Sequence, residues 1–217
     1  MLVLDVSRSM ATRDVAPDRS ALARLAAARL ASEAEGARVG LAAFAAEAHV
    51  LAVPTGDLGL VLQYATSLGP DAVTFQGTDL ARALTVAVGQ LTLDPVRSPD
   101  GSVVLISDGE GFEDPDALAE ALSAARRAGV AVHTVLTGTA EGGGVPGVLT
   151  AGRSSARPDL MERIARETGG RHADALDGRA VAALAEALGG APTSAPPVPW
   201  DRSQTAWLSL TALVALL

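Results

Sequence analysis

Three oxygen-bearing side chains stand two residues apart near the start of the chain: Asp5, Ser7 and Ser9, at the end of the apolar run Leu2-Val3-Leu4. In an extended chain, side chains two apart point the same way, so the carboxylate and both hydroxyls can converge just past the end of a buried strand. Hard oxygen donors of this kind suit a small divalent cation such as Mg²⁺ or Mn²⁺, which takes about six oxygens at roughly 2.1 Å. Further ligands must come from elsewhere in the chain. Two stretches offer them: Thr78 in Gln76-Gly77-Thr78-Asp79, ahead of a helical pattern, and Asp108 in Leu105-Ile106-Ser107-Asp108-Gly109, at the end of another apolar run.

Bringing these residues together requires strands that end at one place. Pro17 is expected in the first turn of a helix in which Leu22, Leu25, Ala26, Arg29 and Leu30 recur at helical spacing until Gly36. Residues 38–44 and 48–53 read as a hairpin that gives the sheet an antiparallel edge. Asp57 caps a helix running to Leu68, and Thr78 is expected to cap one carrying Leu80, Leu84, Ala87, Val88 and Leu91. The continuous apolar run 103–106 predicts a strand buried on both faces, and Asp114-Pro115 opens a helix with Leu118, Leu122 and Ala125 inward. A strand over 130–136, a long glycine-rich loop over 137–157, a helix over 158–167, a short edge strand over 171–175 and a last helix over 178–188 complete the pattern.

Strands alternating with helices predict a doubly wound, Rossmann-like α/β fold: a mostly parallel sheet with one antiparallel edge strand and helices on both faces. Ligands in such folds bind outside the carboxyl ends of the strands, where strand order reverses. If the first strand and the strand at 103–106 are neighbours there, Asp5 and Asp108 leave from adjacent strands into one crevice, and Thr78 reaches it from the start of its helix.

Composition narrows the chemistry. The 217 residues suit one domain, and the absence of cysteine excludes disulfides and thiolate metal sites. A net charge of -8, with arginine as the sole basic residue type besides histidine and aromatics at 3%, argues against nucleic acid. Met1 is followed at once by a core strand, with no leader pattern. The other end differs: residues 189–205 read as a proline-rich linker, and residues 206–217 are apolar to the last position. That tail reads either as the start of a transmembrane helix or as a short amphiphilic segment. Trp207 at its edge favours the first.

With its three separated elements in this order, the sequence resembles a von Willebrand factor type A domain over residues 2–188. The resemblance implies a metal-ion-dependent adhesion site with Asp5, Ser7 and Ser9 as its Asp-x-Ser-x-Ser element, Thr78 as its threonine and Asp108 as its distal aspartate. Met10, Arg38-Val39-Gly40-Leu41, Gly77-Thr78-Asp79-Leu80 and Ser107-Asp108-Gly109-Glu110 further resemble the bacterial Bat-type membrane proteins of aerotolerance operons. That subfamily implies a domain flanked by membrane helices in a bacterial inner membrane. It also implies partners such as a MoxR-type AAA ATPase and other Bat-like proteins. A cation held largely by neutral hydroxyls stays electrophilic, so a partner's Asp or Glu is the expected last ligand.

Competing readings are a Mg²⁺-dependent hydrolase using the same cleft and a structural domain with an empty site. A hydrolytic site adds a base, a nucleophile or a second metal. The opening motif lacks the second aspartate of an Asp-x-Asp phosphohydrolase, and no histidine is paired with Ser7 in sequence, so the expected role is binding and not catalysis. His49, His133 and His172 lie on separate strand patterns and fit buried or edge positions better than a zinc site. Gly142-Gly143-Gly144 lacks the lysine and following helix of a phosphate cradle and reads as a flexible loop. The acidic run Glu110, Glu113, Asp114 and Asp116 could attract cations, with caps and solvated surface the better explanation for Asp114 and Asp116. Asp79, in a first helical turn where the dipole favours a carboxylate, reads either as that alone or as a supporting residue beside the metal.

Overall fold

The computed structural model describes residues 1–34, 36–70, 72, 77–93, 101–111, 114–146 and 152–189. The strands are β1 (Leu2–Asp5), β2 (Val39–Phe44), β3 (Ala48–Thr55), β4 (Ser102–Ser107), β5 (Ala131–Leu136), β6 (Gly143–Gly144), β7 (Arg153–Ser154) and β8 (His172–Asp174). The helices are α1 (Arg19–Ser32), α2 (Leu58–Ser67), α3 (Leu80–Thr92), α4 (Pro115–Arg127), α5 (Pro158–Thr168) and α6 (Gly178–Gly189), with a 3₁₀ turn at Arg8–Ala11.

Six strands form the main sheet in the order β3-β2-β1-β4-β5-β8, and only the β2–β3 pair is antiparallel. This is the expected doubly wound architecture with its antiparallel edge. Every residue of β1 and β2 is buried, which is why these strands read as unbroken apolar runs and not as alternations. Alternation within β1 still sorts the faces: Val3 joins a core with Phe44, Leu84, Leu105, Leu118 and Leu160 under α3, α4 and α5. Leu2 and Leu4 join a second core with Leu30, Leu41, Ile106 and Leu184 under α1, α2 and α6. From β1 the chain adds β2 and β3 on one side, then β4, β5 and β8 on the other. The direction reverses between β1 and β4, and the register Leu4↔Ile106 carries Asp5 and Ser107 out of the sheet side by side.

Several local expectations change. Helix α1 is capped by Asp18, whose side chain accepts from the Ala21 amide, and Pro17 stands outside it. A carboxylate there satisfies an orphan amide and suits the helix dipole, which proline cannot do. Leu25 is 67% exposed, because the buried stripe of α1 is made mainly of small residues, Ala23, Ala26, Ala27 and Ala31, with Leu30. The cap of α3 is Asp79, which accepts from the Arg82 amide and lies 3.4 Å from the Arg82 guanidinium; Thr78 precedes the cap.

Strand β2 begins at Val39 and β3 runs on to Thr55. In the glycine-rich stretch after β5, Gly143 and Gly144 of β6 pair antiparallel with Ser154 and Arg153 of β7. Beyond Gly189, the proline-rich linker and the apolar tail lie outside the described residues. Among the described residues no helix is long and apolar enough to cross a membrane.

Candidate metal centre at the switch point

Asp5 closes β1 at 1% exposure, and its two oxygens are used differently. Oδ1 accepts from the Ser7 amide at 2.8 Å, a local turn that ends the strand. Oδ2 accepts from the Ser107 hydroxyl on the neighbouring strand at 2.5 Å. Ser7 then leads into the 3₁₀ turn, closed by the Met10 amide donating to the Ser7 carbonyl at 3.1 Å. The Ser7 and Ser9 hydroxyl oxygens come to 3.0 Å, with Ser7 buried, Ser9 half-buried and Arg8 pointing to solvent. The convergence expected from strand alternation is therefore produced by a tight helical turn.

Asp108 follows β4 and is completely buried. Gly109, at φ +71°, turns the chain in a left-handed conformation that glycine tolerates, and its amide donates to the Ser107 hydroxyl at 3.0 Å. The Glu110 amide donates to Asp108 Oδ1 at 2.9 Å. Burial, joined by the charge of Asp108, pushes the Asp5 carboxyl well above the ordinary carboxylate range against the hydrogen bonds from Ser107 and Ser7. Two buried carboxylates thus repel each other at the mouth of adjacent strands.

Thr78 is half-buried and held from two sides. The next amide, of Asp79, donates to the Ala45 carbonyl after β2 at 2.8 Å. On the other side Gly111 packs so closely that a Cβ there would fall 2.7 Å from Thr78 Cβ. Residue 78 therefore lies against the exit loop of β4, three positions beyond Asp108. Asp79 is committed to its cap and to Arg82, which accounts for it without the metal.

Sequence reasoning missed the group that Asp108 actually contacts. Arg19, at the first turn of α1, is a fully buried arginine whose Nη1 donates to Asp108 Oδ2 at 2.8 Å. Its other donors meet Asp14 and Ser154, and Ser154 also donates to Glu110. Glu110 is thus part of this network, and Asp114 caps α4 as expected. Nothing in residue type or spacing separates Arg19 from the chain's other arginines.

The histidines are accounted for by packing. His133 Nδ1 accepts from the Arg171 amide at 3.0 Å, His172 Nδ1 lies 2.9 Å from the Thr134 hydroxyl, and His49 is exposed on β3. Burial pushes the His133 and His172 pKa values down. Among the described residues no three His, Asp or Glu side chains gather to hold a metal by themselves. What the switch point offers instead is two carboxylates with hydroxyls, a set that fits a hard cation. Neighbouring oxygens of an octahedral shell with bonds of roughly 2.1 Å stand about 3.0 Å apart, the separation of the Ser7 and Ser9 hydroxyls.

A doubly wound α/β domain with buried oxygen donors at its switch point is the class these observations define. Residues 1–110 match the model of the von Willebrand factor type A domain. The chain belongs to that family.

A UPF0353 protein from Mycolicibacterium paratuberculosis is 35% identical over 193 residues, which cover 82% of this chain and 56% of the relative. One from Mycobacterium leprae is 37% identical over 155 residues, covering 65% and 45%. The chain spans about half the length of these curated relatives. Among solved structures, BatB from Bacteroides thetaiotaomicron is similar with a TM-score of 0.71 at 26% identity, over 80% of this chain and 87% of that one. An aerotolerance-related membrane protein from Bacteroides fragilis has a TM-score of 0.75 at 24% identity, covering 87% and 94%. The manganese-loaded TRAP protein of Plasmodium vivax shares the fold, with a TM-score of 0.62 at 15% identity over 87% of this chain and 71% of that one.

Proposed function

We propose that this is a protein-binding domain that works through a divalent cation, Mg²⁺ or Mn²⁺, held by Asp5, Ser7, Ser9, Thr78 and Asp108. The observation that carries the reading is the pair of buried carboxylates, Asp5 and Asp108, at the ends of adjacent strands at the switch point, with the Ser7 and Ser9 hydroxyls 3.0 Å apart in the turn that follows Asp5. Two carboxylates out of water repel each other, and a cation is the natural compensation. A bound cation would supply an electrophilic position for one outside oxygen ligand. The chain's own residues supply the rest: Ser107 and the Ser7 amide orient Asp5, the Glu110 amide orients Asp108, and Gly111 leaves room for Thr78.

A carboxylate from a partner protein is the ligand this arrangement favours, because it brings the charge the neutral hydroxyls lack. That the same fold holds manganese in the TRAP protein supports the choice of ion. The likeness to BatB and to the aerotolerance-related membrane protein supports a Bat-like setting. In that setting a MoxR-type AAA ATPase or another Bat-like protein is the partner, and the apolar tail at 206–217 is the tether to a bacterial inner membrane.

Affinity capture with the full chain, with and without chelator, tests this. A partner retained in Mg²⁺ should be released by EDTA and recovered when Mg²⁺ is restored, and Asp5→Ala should fail to retain it. Retention unaffected by EDTA, or turnover of phosphoesters at this cleft, would overturn the reading.

A further inference from the structure

We propose that Arg19 is a resident cation of the switch-point crevice that shares Asp108 with the divalent ion and thereby sets the ion's affinity low; this rests on the cation-binding reading above. The guanidinium is built into the fold and does not sit as a surface ion pair. Its side chain is 0% exposed, and its five donor directions are all used. Nε and Nη2 donate to the two oxygens of Asp14 at 2.9 and 2.8 Å, a bidentate pair. Nη1 donates to Asp108 Oδ2 at 2.8 Å and to the Ser154 hydroxyl at 2.7 Å, and Nη2 also to the Ser154 carbonyl at 3.2 Å. Gly138 completes the cradle: a Cβ there would overlap Nε.

The consequence falls on Asp108. Its Oδ2 faces a permanent positive charge and its Oδ1 accepts the Glu110 amide, so neither oxygen is free of a competing donor. A divalent ion entering the crevice meets a carboxylate whose charge is already shared, and it meets the repulsion of the guanidinium itself. Arg19 also helps to orient Asp108, which by itself would favour ion binding. Charge should outweigh orientation, because the Glu110 amide still holds Oδ1 and the Gly109 amide still fixes the turn when Arg19 is gone.

This predicts the opposite of ordinary structural damage. In Mn²⁺ titrations followed by calorimetry and by the spin resonance of free Mn²⁺, R19Q should bind about tenfold more tightly than wild type, from loss of one nearby positive charge. R19K, which keeps the charge, should stay within about threefold of wild type. An R19Q affinity equal to or weaker than wild type, while wild type still binds, overturns the role of Arg19 and leaves the cation site standing. No Mn²⁺ binding by wild type overturns the cation site and this proposal with it. Should R19Q be unfolded without metal, Mn²⁺ must restore its native circular dichroism at concentrations below those that half-saturate wild type. Failure to recover there also overturns it.

Discussion

Asp14 lies outside the proposed ligand set, yet it holds the crevice together by anchoring Arg19. Burial alone would raise its carboxyl; the hydrogen bonds from Arg19 and Thr139 outweigh that and hold it down at about 2 against an ordinary 3.8. Between about pH 4 and pH 2 the unfolded chain therefore binds this proton more readily than the folded one. The stability contributed by the ionised form is present above that window and is lost as pH falls through it. Its size is on the order of 1 to 2 kcal/mol. In thermal melts, wild type should lose this increment between pH 4 and pH 2. Asp14→Asn should start less stable at pH 7 and show a flatter acid limb.

At the level of elements, the site is an agreement among segments that are each ordinary. β1 ends in a turn made by its own aspartate, α1 starts at a capped turn that points an arginine inward, and the loop after β5 passes over that arginine. Gly138 in this loop has φ +97°, and any side chain there would collide with Arg19. Gly129, which closes α4 at φ +68°, has open space for 4 Å around the place a methyl group would take, and it serves as the control. Gly129→Ala should cost about 1 kcal/mol, the left-handed backbone penalty alone. Gly138→Ala should cost about 3 kcal/mol, since displacing Arg19 also disturbs buried hydrogen-bonded charges. Denaturant unfolding of the two variants checks this, and equal losses would mean that the guanidinium yields at little cost.

For the molecule as a whole, the net charge of -8 and the buried acidic crevice act in the same direction. On the proposed reading, both favour taking up a divalent cation, and both oppose the proposed acidic partner until that cation is present. A ligand that binds only the folded state stabilises it by about 2.7 kcal/mol at a concentration of 100 times its Kd. For a domain of this size that is a rise of roughly 5 to 10 °C in melting temperature. Mg²⁺ should therefore raise the melting temperature of wild type by this amount and leave that of Asp5→Ala unmoved. An identical melt for wild type with and without Mg²⁺ would point to a structural domain that takes no ion.

The sequence by itself determined the order of elements and the three stretches that meet. Buried parallel strands must be apolar throughout, and the helices between them carry their own periodicity and stops. It also determined the family, through the same spacings. The tertiary structure alone decided how the hydroxyls of Ser7 and Ser9 approach each other, that Asp79 and not Thr78 caps α3, and that Gly143 and Gly144 pair with Ser154 and Arg153. It alone decided that Arg19 is buried against Asp108. Local pattern records which way a side chain faces within its own element. A charge neutralised by Asp14 and Asp108, 5 and 89 positions away, and hydrogen-bonded to Ser154, 135 positions away, leaves no mark in that pattern, because its partners are chosen by the packing of the whole domain.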